Sequence, residues 1–384
     1  MKRFICGVGL LWIILAMPLA ASTSRIYVLA LDKDTVDVID PLTNKVVQTI
    51  RGIPKPLQAA FSPDGSRAYI TSETSEHNLY VVDTKTGETI HKVLLSGRPC
   101  MPAVTRDGKR VFVTIEDPGP PIPIADDPLQ SHHWDNRNRV SVNGGAVDIV
   151  DTTTLKVVHT IRMRGPGEGA MHDIFLSPDG KYMLAGCCEM HPGGDFLAAI
   201  DVQTEKVVWE VPFDYDVETF AIEAGRDGSS SRVFVETPNL HGFIVVDFAT
   251  HKQVAKIIFP RKPSGFYFSG APPTKIKDET HGSAISPDGK TLWINNHESN
   301  AAFVYSLPAL KLLGYVPVTQ AKEEAGHPIS SIPSWITFTA DGSKAYVSCD
   351  EVDAVSVIDA KTMKEVATIP VESGFKFDAT LVLP

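Results

Sequence analysis

One four-residue turn recurs along this chain and decides what it can become. It reads SPDG at Ser62, TRDG at Thr105, SPDG at Ser177, GRDG at Gly225, SPDG at Ser286 and TADG at Thr339. A short apolar run precedes each turn. A strand-like run follows it: RAYITS, RVFVTI, KYMLAGC, RVFVET, TLWINN and KAYVSC. A further run then ends in Asp at Asp83, Asp151, Asp201, Asp247 and Asp359, and a tight turn leads to a last run such as KVVHTI or EVATIPV. Val, Ile and Tyr dominate these runs, and Gly, Asp and Pro bound them, which is how short strands joined in hairpins read.

The unit is four antiparallel strands, A to D, over roughly 40 to 45 residues, the period of a propeller blade. Six units carry the turn and a seventh is split. RIYVLA, TVDVID and KVVQTI at the start supply strands B, C and D, and FDATLVLP at the end supplies a lone strand. The expected fold is all-β: a seven-bladed β-propeller of four-stranded antiparallel blades, its ring closed by the C-terminal strand completing the first blade. Closure hides sheet edges that otherwise invite aggregation. SPDGSRAYITS followed by LYVVDTKTGETI resembles the YVTN-type repeat of bacterial seven-bladed propellers, the YncE-like group, and the likeness runs over essentially the whole mature chain. It implies the fold. It implies no one activity, because propellers host unrelated ones.

The first residues, MKRFICGVGLLWIILAMPLAAS, join a basic start to an apolar run and then small residues. This is the pattern of a secretory signal peptide, expected over residues 1–21, with 22–384 as the propeller domain. Cys6 comes too early to be a lipoprotein-type cysteine, and no later segment is apolar enough to span a bilayer. A periplasmic or secreted monomer is expected. The formal net charge of −10 excludes a nucleic-acid partner, which needs a basic footprint. About 43% of the 384 residues are hydrophobic, enough for a sizeable core. After cleavage Cys100, Cys187, Cys188 and Cys349 remain. No CxxCH or CxxC occurs, so neither covalent c-type haem attachment nor the usual structural zinc pattern is expected. Buried thiols, a disulfide and a ligand role all stay open for them.

Strand A starts, and strand B ends, at one end of a blade, the upper end. His281 and His297, which flank the SPDG turn at Ser286, must therefore both return to the top of one blade. Aligning the units extends this to a ring. Five residues before each turn stand Leu57, Cys100, His172, Phe220, His281 and Ser334. Eight residues past the turn glycine stand Glu73, Glu116, Cys188, His297 and Asp350. The unit at Gly225 holds an extra residue within Ser229–Ser231, which brings Pro238 or its neighbour to that position. Asp173 and His191 lie close by in sequence. His77, His132, His133, His191 and His241 fall in B–C loops and His327 in a D–A connection, so nine of the twelve histidines sit on the upper side. Three long upper connections, 117–143, 261–279 and 319–333, join them there; long loops on one face commonly serve function.

Imidazole suits Zn, Cu and Fe, and carboxylates add charge and geometry. His172, His281 and His297 are the candidate metal ligands. Glu73, Glu116, Asp173, Cys188, His191 and Asp350 are candidate ligand-binding groups around them. The expected function is binding of a transition-metal ion (Cu, Zn or Fe), or of a small-molecule or protein ligand, at this upper mouth. Two alternatives stand beside it. One is a lactonase-like hydrolase, with Glu73 or Glu116 as base and Arg98 holding an anion. The other is a scaffold that docks a partner through upper aromatics such as Trp335. Haem d1 propellers are similar in repeat style but have eight blades, against seven here.

Overall fold

The computed structural model describes residues 25–119, 144–165, 169–188, 195–214, 217, 219–237, 240–260, 280–322, 328–372 and 379–382. It contains seven four-stranded antiparallel sheets and almost no helix. Six blades are continuous in sequence. The first is completed by Ala379–Val382, which pairs with Arg25–Ala30. The innermost strand of every blade lies against that of the next, from Pro56–Phe61 through Gly97–Val104, Ala170–Leu176, Thr219–Ala224, Thr280–Ile285 and Pro333–Phe338 to Ala379–Val382, and so back to the start. The ring is closed and the seven-bladed expectation holds. Among the described residues no helix is long and apolar enough to cross a membrane. The expected signal peptide lies outside the described residues.

The repeated turns carry their own local chemistry. In the A–B turn, Asp64 accepts hydrogen bonds from the Ser62 hydroxyl (2.6 Å) and the Ser66 amide (3.1 Å), while the Ser62 hydroxyl accepts from the Arg67 amide (3.0 Å). Asp107, Asp179, Asp288 and Asp341 repeat the pattern. The aspartates that end strand C do the same job in the C–D turn, as Asp83 accepts from the Lys85 and Thr86 amides. Their number reflects turn construction rather than catalysis.

The core lies between blades. Tyr27, Val36, Val38 and Ile50 of the first blade pack on Ala59, Ile70, Tyr80 and Val82 of the second. Ile26, Val28 and Ile39 meet Tyr346, Val355 and Val357 across the closing seam. Buried polar groups tie the same seam. Asp37, 2% exposed, accepts from the Thr49 hydroxyl and, at 2.8 Å, from the Glu372 amide that leaves the last blade.

Two bulges shape every blade or nearly so. In the outer strand D of all seven, one residue is left unpaired: Val47, Ile90, Val158, Val208, Val254, Leu313 or Val366. These aliphatic side chains are exposed, and the bulges break the regular edge that another strand would need for pairing. The second bulge sits in strand A of five blades and positions the candidate site.

Candidate functional site

In five blades two consecutive strand A residues oppose a single strand B residue. Leu57 and Gln58 face Thr71, Cys100 and Met101 face Thr114, and His172 and Asp173 face Gly186. His281 and Gly282 face Asn295, and Ser334 and Trp335 face Ser348. A bulge turns both of its residues away from strict alternation and re-aims their side chains. The fifth blade lacks it: Phe220 pairs directly with Val235, and the extra residue sits in strand B near Ser231. Thr237 thereby takes the place that His297 and Glu73 hold elsewhere, a neighbour of Pro238 as the sequence alignment allowed.

Hydroxyls facing the bulges lock them to the next blade. Thr71 donates to the Cys100 carbonyl oxygen (2.5 Å) and accepts from the Gln58 amide (3.2 Å). Thr114 donates to the His172 carbonyl oxygen and accepts from the Met101 amide (2.9 Å). These bonds hold the backbones of Cys100 and His172 in register across the blade interface.

The result is a cluster. A sulfur of Cys100, a carboxylate oxygen of Glu116 and a ring nitrogen of His172 lie within 4.8 Å of one another, and all three residues are buried. Asp173 completes it: one oxygen stands 2.9 Å from His172 Nδ1. Asp173 is wholly buried, and its second oxygen has no hydrogen-bond partner among the described residues. Burial pushes the Cys100 thiol up to about 12, with His172 beside it pulling the other way. Burial disfavours the His172 imidazolium, while the Asp173 carboxylate at Nδ1 favours it. With Nδ1 engaged by Asp173, Nε2 is the atom that would hold a metal ion.

His281 and His297 meet as the sequence requires, their ring centroids 6.2 Å apart, and both are buried. His281 Nδ1 faces the Ser334 carbonyl oxygen at 3.3 Å, and its ring stands edge-on to Trp335 at 4.9 Å. Among the described residues this pair does not join the Cys100–Glu116–His172 group. Asp350 accepts from the Ser334 hydroxyl at 2.7 Å in the seventh blade, and Glu73 is buried at the end of its strand B. The Cys188 side chain and all of His191 lie outside the described residues, as do His132, His133 and His327. Cys100 and Cys349 are buried thiols in no disulfide.

Cys100 is the residue that sequence alignment left among the unassigned thiols. Its signal was present: it occupies the His172 position of the preceding blade, and neighbouring blades bring equivalent positions side by side.

No protein-family model and no curated protein sequence matches the chain. Solved structures do. The periplasmic gluconolactonase PpgL of Pseudomonas aeruginosa aligns with a TM-score of 0.65 at 17% identity, over 94% of this chain and 100% of that chain. A Bacteroides fragilis protein described as a candidate 6-phosphogluconolactonase aligns at 0.64 and 13% identity, over 95% and 100%. The dihydro-haem d1 dehydrogenase NirN aligns at 0.61 and 14% identity, over 93% of this chain and 74% of that one. At these identities the likeness is one of fold.

Proposed function

We propose that this protein is an exported, YVTN-type propeller that binds one transition-metal ion at the head of its channel through Cys100, Glu116 and His172. The observation that carries the reading is the convergence of a thiol, a carboxylate and an imidazole within 4.8 Å in a buried setting. Ligands on one tetrahedral ion, at bond lengths of about 2.0–2.3 Å, stand about 3.5 Å apart, so closing on the ion takes about an ångström of side-chain movement. Thiolate and imidazole together favour Zn, Cu or Fe over Mg or Ca. Metal coordination deprotonates a thiol that burial otherwise keeps neutral. Asp173 plays the carboxylate–histidine–metal part: it fixes the ring and its tautomer and raises its basicity. The test is metal content after loading with Zn, Cu or Fe and dialysis, compared between the parent and Cys100→Ser, Glu116→Gln and His172→Ala. Retention of about one ion per chain by the parent and its loss in the variants support the reading.

A lactone-opening activity is the second reading. It draws on the names of two fold neighbours and on the burial of Glu73 and Glu116, which suits a carboxylate base. Turnover of a simple aldonolactone that disappears in Glu116→Gln or Glu73→Gln supports it. An activity that survives both substitutions rejects it. The periplasmic location of PpgL agrees with the export expected from the leader sequence.

A further inference from the structure

The channel below the bulges holds a cavity of about 520 Å³. It is lined by the inner strands of five blades, in the size range of small-molecule sites. Its wall is mostly apolar, with Ala103, Ile174 and Ile336 among its members. Among the described residues no Asp, Glu, Lys, Arg or His lines it.

Five polar side chains break that wall: Ser62, whose hydroxyl bonds Asp64, and Thr337 lie toward the A–B turns, and three lie at the bulges. Gln58 lies 4% exposed; Thr71 binds its backbone amide and carbonyl at 3.2 and 3.3 Å, and its carboxamide has no protein partner among the described residues. The Ser283 hydroxyl is buried and has none either. Trp335 comes from the seventh blade, yet it packs against the apolar cluster of Met101, Met171 and Ile174 in the third and fourth. It therefore crosses the channel. Its ring stands perpendicular to that of His281, and no described protein group accepts from its indole N–H. Each of these three side chains projects from a strand A bulge or from the residue just below one.

We infer that this cavity binds an uncharged small organic molecule, its apolar body against Ala103, Ile174 and Ile336 and its polar groups on Gln58, Ser283 and the Trp335 N–H. An apolar wall with a few convergent hydrogen-bonding groups is the composition of a small-molecule site. The described part of the wall carries no charge and disfavours ions, because an ionised group buried without a partner loses its hydration and gains nothing in return. Gln58 supplies both a donor and an acceptor, and Ser283 and Trp335 add donors. The ligand class is then a neutral molecule with an aromatic or aliphatic body and carbonyl, ether or hydroxyl oxygens. This site uses none of the Cys100, Glu116 or His172 side chains and does not depend on the metal.

The test uses three probes of one shape, 4-nitrobenzyl alcohol, 4-nitrobenzoate and 4-nitrobenzylammonium, titrated against the full mature protein with and without prior metal stripping. Binding is read by quenching of tryptophan fluorescence and by saturation-transfer NMR. The neutral alcohol binds saturably in both preparations, and each charged analogue binds at least about tenfold more weakly. Ala103→Phe fills the channel and abolishes binding. Gln58→Leu, which leaves the wall intact, weakens the alcohol at least about threefold and leaves 4-nitrotoluene unchanged. Equal affinity for the three probes, or alcohol binding unchanged in both variants, overturns the inference. Loss of binding on metal stripping alone overturns its independence from the metal.

Discussion

His172 and Asp173 are consecutive residues of one strand, yet the Nδ1 of the first lies 2.9 Å from a carboxylate oxygen of the second. Regular strands send neighbouring side chains to opposite faces. Here the bulge opposite Gly186 brings both round to the same side. An acidic residue beside a histidine thus becomes the group that holds its ring, within one strand and without help from another element.

Asp173→Asn tests that role. It keeps the shape and removes the charge that orients and polarises the imidazole. Metal affinity falls about 10- to 100-fold, the usual cost of losing a partner of a ligating histidine. Competition against a chromophoric chelator measures it. An unchanged affinity means that Asp173 only caps a bulge.

Thr114→Val removes a buried hydroxyl that serves Met101 and His172 together. It strands the Met101 amide and the His172 carbonyl oxygen, a loss of about 1–3 kcal/mol. Urea unfolding at neutral pH gives the value. A midpoint unchanged from the parent shows that the hydroxyl tie carries no weight.

Gly282 has φ +85°, and a β-carbon there falls on the Ser334 carbonyl oxygen of the next blade. Gly282→Ala therefore combines left-handed backbone strain with a backbone clash. It destabilises by at least about 2 kcal/mol, and it displaces His281, whose Nδ1 faces that same carbonyl. Full stability in denaturant together with an unshifted His281 NMR resonance contradicts this packing.

The turn aspartates set the response to acid. Asp64 is lowered to about 2, chiefly by the Ser62 hydroxyl and then by the Ser66 amide and hydroxyl. Asp107, Asp227, Asp288 and Asp341 are lowered by the same kind of bonds, and Asp83, Asp151, Asp201, Asp247 and Asp359 by amides or hydroxyls of the C–D turns. Each folded value lies below the unfolded one, so each contributes stability above about pH 4 that is lost as pH falls through its lowered folded value, about 2 for Asp64. Thermal scans should show Tm steady down to about pH 4 and falling steeply below it. Hydrogen bonds, more than ion pairs, dominate, so high salt does not remove the transition. A Tm that stays level to about pH 2 contradicts the turn assignment.

Much of this was legible in the chain itself. The turn spacing fixes seven blades, and the orphan strand at the end fixes how the ring closes. The blade topology puts His281 beside His297, as observed. The bulges were not legible. An extra residue in strand A leaves the repeat length unchanged if every blade has it, and only the fifth blade, which moves it to strand B, betrays it as an irregularity at Ser229–Ser231. Without the bulge, Asp173 reads as pointing away from His172. The pairing of Cys100 with His172 depends on the contact between adjacent inner strands, about 70 residues apart in sequence. Nothing in a single repeat signals it.

The metal site is tested by the metal stoichiometry of the mature protein, read by plasma mass spectrometry after loading and dialysis beside Cys100→Ser, Glu116→Gln, His172→Ala and His281→Ala. About one transition-metal ion per chain is expected in the parent, retained in His281→Ala and lost in the other three. A parent that holds no metal, or a content that survives Cys100→Ser and His172→Ala, contradicts it.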